Sequence, residues 1–176
     1  MIEEQNKTSA GLKMAIQMEI DGKEYYLTAS EESTNPLGQK LLNSLASEED
    51  VHRQKFEEIY NTISNQQEWP MVDFQPDWGR RLRTIFARAI NSISTDVKAP
   101  ATELEVVQTA IGMELKSYDL YKEQAIKATY FAERDFYETV AAEEQEHHLI
   151  LLDYYEFLKD PAAWYTNKEH PSLDGG

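Results

Sequence analysis

The chain has 176 residues, enough for one domain with a sizeable core, and its lack of cysteine excludes disulfides, iron–sulfur clusters, zinc–thiolate sites and cysteine nucleophiles. With 32 acidic against 17 basic residues, the net charge of −15 disfavours binding to nucleic acid or to an anionic membrane. No apolar run approaches the ~20 residues that cross a bilayer, and the acidic N-terminus does not resemble a signal peptide, so we expect a cytoplasmic protein.

Four amphipathic segments are predicted as long helices. The first covers about 9–33 and is stopped by Asn35-Pro36; the second covers 36–65, with Pro36 in its first turn. The third, 102–128, opens with a capping box in which Thr102 precedes Glu105 by three residues, and the fourth covers 130–159. The predicted class is therefore all-α.

The connection between the second and third helices, 66–100, is too long for a hairpin turn. Two antiparallel hairpins joined by one long crossover form the ferritin-like four-helix bundle, here predicted for residues 1–160 with a C-terminal tail at 161–176. The crossover contains a predicted short helix at 80–93. We expect its basic side to be salt-bridged to the acidic bundle as a strap. That side carries Arg80, Arg81, Arg83 and Arg88.

The chain repeats part of itself. Residues 15–26 align with 110–121, and residues 46–52 align with 141–147, in both cases at an offset of 95 residues. Each copy therefore has one Glu and, 30 positions later, a Glu-x-x-His motif. The residues concerned are Glu19, Glu49 and His52 in the first copy, and Glu114, Glu144 and His147 in the second.

These six residues fall on the predicted inward faces of the helices. Glu19 and Glu49 are about equally far from the Asn35-Pro36 turn, so they lie at the same height of an antiparallel hairpin, and residues three apart share one helix face. Each inward stripe carries its Glu or Glu-x-x-His at mid-length, where packing alone would favour leucine. One such motif is weak evidence, whereas a duplicated motif on core stripes is strong evidence of a site.

Four carboxylates and two imidazoles are costly to bury without partners. No Lys or Arg lies on the inward stripes, but two divalent cations would balance four carboxylates. Oxygen and imidazole donors suit iron or manganese. The sequence therefore predicts a two-metal site in the core of the bundle.

The duplicated motif resembles the ferritin-like superfamily, and within it the rubrerythrins, over about residues 9–159. The resemblance implies two iron ions, with manganese possible, and reduction of hydrogen peroxide or oxygen. By this likeness Glu19 and His52 serve one ion, Glu114 and His147 the other, and Glu49 and Glu144 bridge them. Tyr26 and Tyr121, at matching repeat positions, are either hydrogen-bonding neighbours of the ligands or ordinary core residues.

Two departures from rubrerythrins stand out. Their additional Glu three residues after the third-helix Glu is Ser117 here, which weakens the case for peroxidase activity. Their four-cysteine rubredoxin domain has no counterpart in a cysteine-free chain, so we expect a separate electron-donor protein. The resemblance also implies a homodimer.

Several other residues are expected to lie outside the site. Glu48 and Glu143, which also repeat, are interpreted as flanking surface carboxylates, His148 as a surface residue and His170 as solvated. Two further functions remain open: ferroxidation and iron storage, which the acidity would suit, and a non-enzymatic binding protein stapled by metal. We rank the oxidoreductase first.

Overall fold

The computed structural model describes residues 2–66, 68–90 and 99–169, and within these residues all regular structure is helical. The all-α prediction is confirmed. Six helices follow one another: α1 (Ile2–Glu32), α2 (Pro36–Gln66), α3 (Arg80–Ile90), α4 (Ala101–Lys127), α5 (Phe131–Lys159) and α6 (Pro161–Glu169).

The four long helices form the predicted ferritin-like bundle. Helices α1 and α2 pack together as one hairpin, α4 and α5 as the other, and the hairpins meet chiefly along α1 and α4. Helix α3, in the crossover, packs against α2 and α5. In the described part of the chain, no helix is both long and apolar enough to pass through a bilayer.

The first hairpin turn is closed by local hydrogen bonds. The Asn35 side chain accepts a hydrogen bond of 2.9 Å from the backbone N–H of Leu37, which caps the start of α2. Pro36 occupies the first helical position, where no backbone donor is needed. The Gln39 amide donates to the carbonyl of Ser33 at 2.8 Å, so both helix ends are satisfied within the turn.

In the second hairpin, the start of α4 departs from the prediction, and α5 has a cap that was not predicted. Helix α4 begins one residue before Thr102, with Pro100 as its N-cap and no side-chain capping bond, so the predicted capping box is wrong. Glu103 instead accepts a hydrogen bond of 2.6 Å from the Ser33 hydroxyl in the other hairpin turn. Helix α5 is capped by Glu133, whose carboxylate accepts the Thr129 N–H at 2.9 Å.

The apolar core is divided into two clusters, one on each side of the mid-bundle carboxylates. One lies toward the α1–α2 turn and includes Leu41, Leu45 and Tyr154. The other lies toward the opposite end and includes Leu12 and Phe56. The polar residues at mid-height thus sit between two tightly packed apolar layers.

Helix α3 is held to the bundle by its apolar face, with Leu82, Phe86 and Ile90 buried. Its basic side supplies one ion pair to the body of the bundle, between Arg83 and Glu146 of α5. Residues 91–93 of the predicted helix lie outside the described residues. Helix α6, which the sequence did not predict, packs Trp164 edge-on against Phe86 with ring centroids 5.4 Å apart.

Phe56→Ala should destabilise the protein by about 3–5 kcal/mol, the usual cost of deleting a buried aromatic side chain. Phe56 is fully buried, and its ring centroid lies 5.3 Å from those of both Tyr121 and Phe136. Chemical denaturation would measure the loss. Val51→Ala, on the same helix but 47% exposed, is the control and should change stability by no more than about 0.5 kcal/mol.

Candidate metal centre

The structure brings all six predicted residues together at mid-bundle, each at most 3% exposed. They form two overlapping groups of four, and in each group one potential ligand atom per residue lies within 4.8 Å of the others. Both groups contain Glu49 and Glu144. Glu19 and His52 complete the group that we call the first position; Glu114 and His147 complete the second position.

Each imidazole turns its Nδ1 atom toward the carboxylates. Nδ1 of His52 lies 3.1 Å from Glu144 and 3.6 Å from Glu19. Nδ1 of His147 lies 3.4 Å from Glu49 and 3.6 Å from Glu114. The two rings lie nearly parallel with centroids 5.9 Å apart, so each faces its own half of the carboxylate cluster.

The Nε2 atoms point away from the cluster and reach two further carboxylates. Nε2 of His52 lies 3.0 Å from Glu143, and Nε2 of His147 lies 2.8 Å from Glu48. The surface interpretation of these two glutamates is therefore wrong: Glu143 is buried and Glu48 half-buried. Each accepts the Nε2–H of the histidine on the opposite hairpin, which leaves Nδ1 free to bind a metal.

The sequence did contain a signal for these two carboxylates. Glu48 and Glu143 recur at the same offset of 95 residues as the six central residues. Their contacts run between α2 and α5, which belong to different hairpins. Glu48 and Glu143 each lie one position before an inward glutamate. The periodicity of their own helix cannot show that each reaches a histidine on a different helix.

Two tyrosines donate hydrogen bonds across the hairpins. The Tyr26 hydroxyl of α1 bonds to Glu114 of α4, and the Tyr121 hydroxyl of α4 bonds to Glu19 of α1. Burial first and the neighbouring carboxylate second raise the pKa of both phenols well above the usual value of 10.0. Both hydroxyls therefore keep their protons and fix one oxygen of each terminal carboxylate.

Without cations, the cluster holds more negative charge than its burial tolerates. Burial, followed by the other carboxylates, raises the pKa of Glu49 and of Glu144 well above 4.5. Burial alone would lower the histidine pKa values, but Glu19 beside His52 and Glu114 beside His147 raise them well above 6.5. Protons thus substitute for the missing positive charge.

A pair of metal ions fits the ligand atoms that have no hydrogen-bond partner in these contacts. Several buried ligand atoms have no hydrogen-bond partner among the described residues, and all of them face the cluster. They are one oxygen of Glu19, one of Glu49, both of Glu144, and Nδ1 of His52 and of His147. Oxygen and imidazole donors without thiolates suit iron or manganese.

Comparison with known families agrees with this geometry. The family model for rubrerythrin matches residues 11–96. Over these residues the chain is similar to the rubrerythrin family, which is consistent with the ferritin-like bundle. Neither the curated proteins nor the solved structures include a significant match.

The rubrerythrin match covers the first hairpin and the crossover. The second hairpin carries the same motif at the fixed offset, and its residues complete the cluster. At the position of the additional rubrerythrin glutamate, Ser117 lines a cavity of about 150 Å³ between α1 and α4. Gly22, its repeat counterpart, lines the same cavity, which reaches Glu49 and Glu114.

His148 does not take part in the cluster of potential metal ligands. It is half-buried, and its Nδ1 lies 3.3 Å from the carbonyl of Ile111 rather than near the carboxylates. His170 lies outside the described residues.

Proposed function

We propose that this protein is a non-haem di-iron oxidoreductase that reduces hydrogen peroxide or oxygen. One observation carries the proposal: two buried ligand sets overlap in Glu49 and Glu144. Two neighbouring metal ions with shared ligands form a redox unit that a single mononuclear site cannot provide. The rubrerythrin match supports iron as the metal.

Each residue has a defined task in this proposal. Glu19 and His52 would hold the ion of the first position, Glu114 and His147 would hold the ion of the second, and Glu49 and Glu144 would serve both. Two ferrous ions bound there would supply the two electrons that, with two protons, convert hydrogen peroxide to two water molecules. The neutral Tyr26 and Tyr121 orient the terminal carboxylates.

The surrounding structure controls access to the cluster. The apolar layers above and below exclude bulk water, while the cavity between α1 and α4 offers a route for a molecule as small as peroxide or oxygen. Met18 and Met113, another repeat-related pair, line this cavity beside Gly22 and Ser117. A volume of about 150 Å³ is enough for a few molecules the size of water or peroxide.

We propose two protein partners. These 176 residues contain no cysteine that could hold a thiolate-bound redox centre beside the cluster, so we propose that a separate protein in the cytoplasm returns electrons to the iron. By family resemblance we also propose a homodimer.

Stopped-flow absorbance after anaerobic loading with ferrous iron tests the oxidoreductase. We expect hydrogen peroxide to oxidise the loaded protein much faster than it oxidises free ferrous iron in the same buffer, with two iron ions oxidised per peroxide consumed. The matched control is Glu144→Gln, which removes one shared carboxylate charge at nearly constant volume. A loaded wild-type protein that neither peroxide nor oxygen oxidises would contradict the proposal.

Iron handling is the second candidate, favoured by the net charge of −15, which attracts cations. A storage protein would form a large closed shell and retain many ferric ions per chain. Light scattering with iron analysis separates the two: a small oligomer that holds about two ions per chain excludes storage.

A further inference from the structure

The carboxylates behind the two histidines are not equivalent, although the sequence repeat relates them. Glu143, behind His52, accepts two additional hydrogen bonds on its other oxygen, from the backbone N–H groups of Asp77 at 2.7 Å and Trp78 at 3.1 Å. Both carboxylate oxygens of Glu143 are therefore held by hydrogen bonds.

The backbone donors come from an unusual turn in the crossover. Trp78 and Gly79 both have a positive φ, of 53° and 66°, so the chain turns through the left-handed region directly after the two N–H groups that bind Glu143. Arg83 holds the turn by donating to the Trp78 carbonyl at 2.9 Å while pairing with Glu146. A Cβ atom at Gly79 would lie 3.0 Å from the Ile150 side chain, so the turn fits closely against α5.

Glu48, behind His147, lacks this support. Its second oxygen has no hydrogen-bond partner among the described residues. Its side chain is 13% exposed, against 5% for Glu143. The cavity between α1 and α4 also reaches this side of the cluster, since it contacts Glu49 and Glu114 but neither Glu19 nor His52.

Glu143 is anchored by the crossover turn, whereas Glu48 has no such anchor and is more exposed. From this contrast we propose that the two ion positions differ in affinity, and that the crossover turn is the cause. The first position, with Glu19 and His52, holds its ion tightly because the turn fixes Glu143 and Glu143 fixes His52. The second position, with Glu114 and His147, holds the exchangeable ion. Glu143 and the turn act as positioning groups. This inference rests on the metal site of the proposed function.

The physical basis is the orientation of the metal-binding nitrogen. A histidine that donates its other N–H to a fixed carboxylate keeps one tautomer and one ring position, and its free nitrogen becomes a stronger donor. Loss of such a partner typically weakens metal binding by about 10–100-fold. A backbone-anchored carboxylate should therefore strengthen binding at His52 more than Glu48, which lacks such an anchor, strengthens it at His147.

Calorimetric titration of the metal-free protein with cobalt(II), which is stable in air and accepts the same donors, tests this proposal. Wild type should show two binding steps, assigned by Glu19→Gln and Glu114→Gln, with Glu19→Gln removing the tight step. Glu143→Gln and Gly79→Ala should each weaken the tight step by about 10–100-fold and leave the weak step within about threefold. Glu48→Gln should weaken only the weak step.

Gly112→Ala is the matched glycine control, because a Cβ atom there has no neighbour within 4 Å, and it should change neither step. Circular dichroism confirms folding, and Glu143→Gln still tests the proposal if Gly79→Ala misfolds. Equal weakening of both steps by Glu143→Gln, or weakening of only the weak step, would overturn this inference and leave the proposed function standing. Absence of any binding by wild type would overturn both.

Discussion

Replacing both central carboxylates, Glu49→Met together with Glu144→Met, should abolish metal binding and stabilise the metal-free protein. Each of these residues belongs to both ligand sets, so each ion position would lose two of its four ligands. The remaining charges would form two pairs, Glu19 with His52 and Glu114 with His147. Removal of unfavourably buried charge should raise the free energy of unfolding by about 1–4 kcal/mol.

Metal analysis measures the loss of metal binding, and chemical denaturation measures the gain in the free energy of unfolding. The control is Glu58→Met with Glu138→Met, which removes two exposed carboxylates from the same two helices and makes the same change in net charge. The control should keep both metal ions and change stability little. A central double variant that still binds two ions would show that Glu49 and Glu144 are not shared metal ligands. A double variant that unfolds more easily than metal-free wild type would contradict the predicted stabilisation.

Binding of two metal ions should raise the melting temperature strongly, and removal of the metal should reverse that rise. A ligand that binds only the folded state contributes about 4 kcal/mol when its free concentration is 1,000 times its dissociation constant. Two ions under these conditions contribute about 8 kcal/mol, and at ~2–4 °C per kcal/mol for a chain of this size the melting temperature should rise by roughly 16–32 °C. Manganese(II) is a suitable probe because it does not oxidise during a thermal scan.

The stabilisation by metal should increase from pH 6.5 to pH 8. In the metal-free fold the pKa values of Glu49, Glu144, His52 and His147 are raised, so the folded state binds more protons than the unfolded state in this range. Stability of the metal-free protein therefore falls as pH rises. Glu114 and Glu143, whose pKa values are lowered, are ionised in both states here and add no slope.

Metal binding replaces those protons, so the loaded protein should lose less stability over the same pH range. Differential scanning calorimetry at pH 6.5, 7.2 and 8.0 measures the difference in melting temperature with and without manganese(II). The titration of exposed groups affects both measurements equally and cancels in that difference. The same melting temperature with and without metal, or a difference that shrinks as pH rises, would contradict the role assigned to the cluster.

The sequence predicted the bundle because its periodicity and its duplication agree. Every residue on the predicted inward stripe of α2, from Leu42 to Ile63, is buried, and so is every residue on that of α5, from Tyr137 to Leu158. A stripe of period three to four on a long helix can face only one core, so a polar residue on it must lie inside. The distances from the hairpin turns then placed the carboxylates at one height.

The parts that sequence reasoning missed depend on contacts between separate elements. The Glu143–His52 and Glu48–His147 bonds require the relative position of α2 and α5, which no local pattern encodes. The turn at Trp78 was hidden because a left-handed backbone is unusual for any residue other than glycine. Pro100 took the N-cap position of α4, and its carbonyl accepts the backbone N–H groups of Glu103 and Leu104 with no capping bond from Thr102.

Metal content per chain after anaerobic reconstitution with ferrous iron and removal of excess metal tests the central claim most directly. Elemental analysis should find about two iron ions per chain in the wild type and none in Glu49→Met with Glu144→Met. A wild-type protein that is folded by circular dichroism but retains no iron would contradict the di-metal site and require another partner for the buried carboxylates.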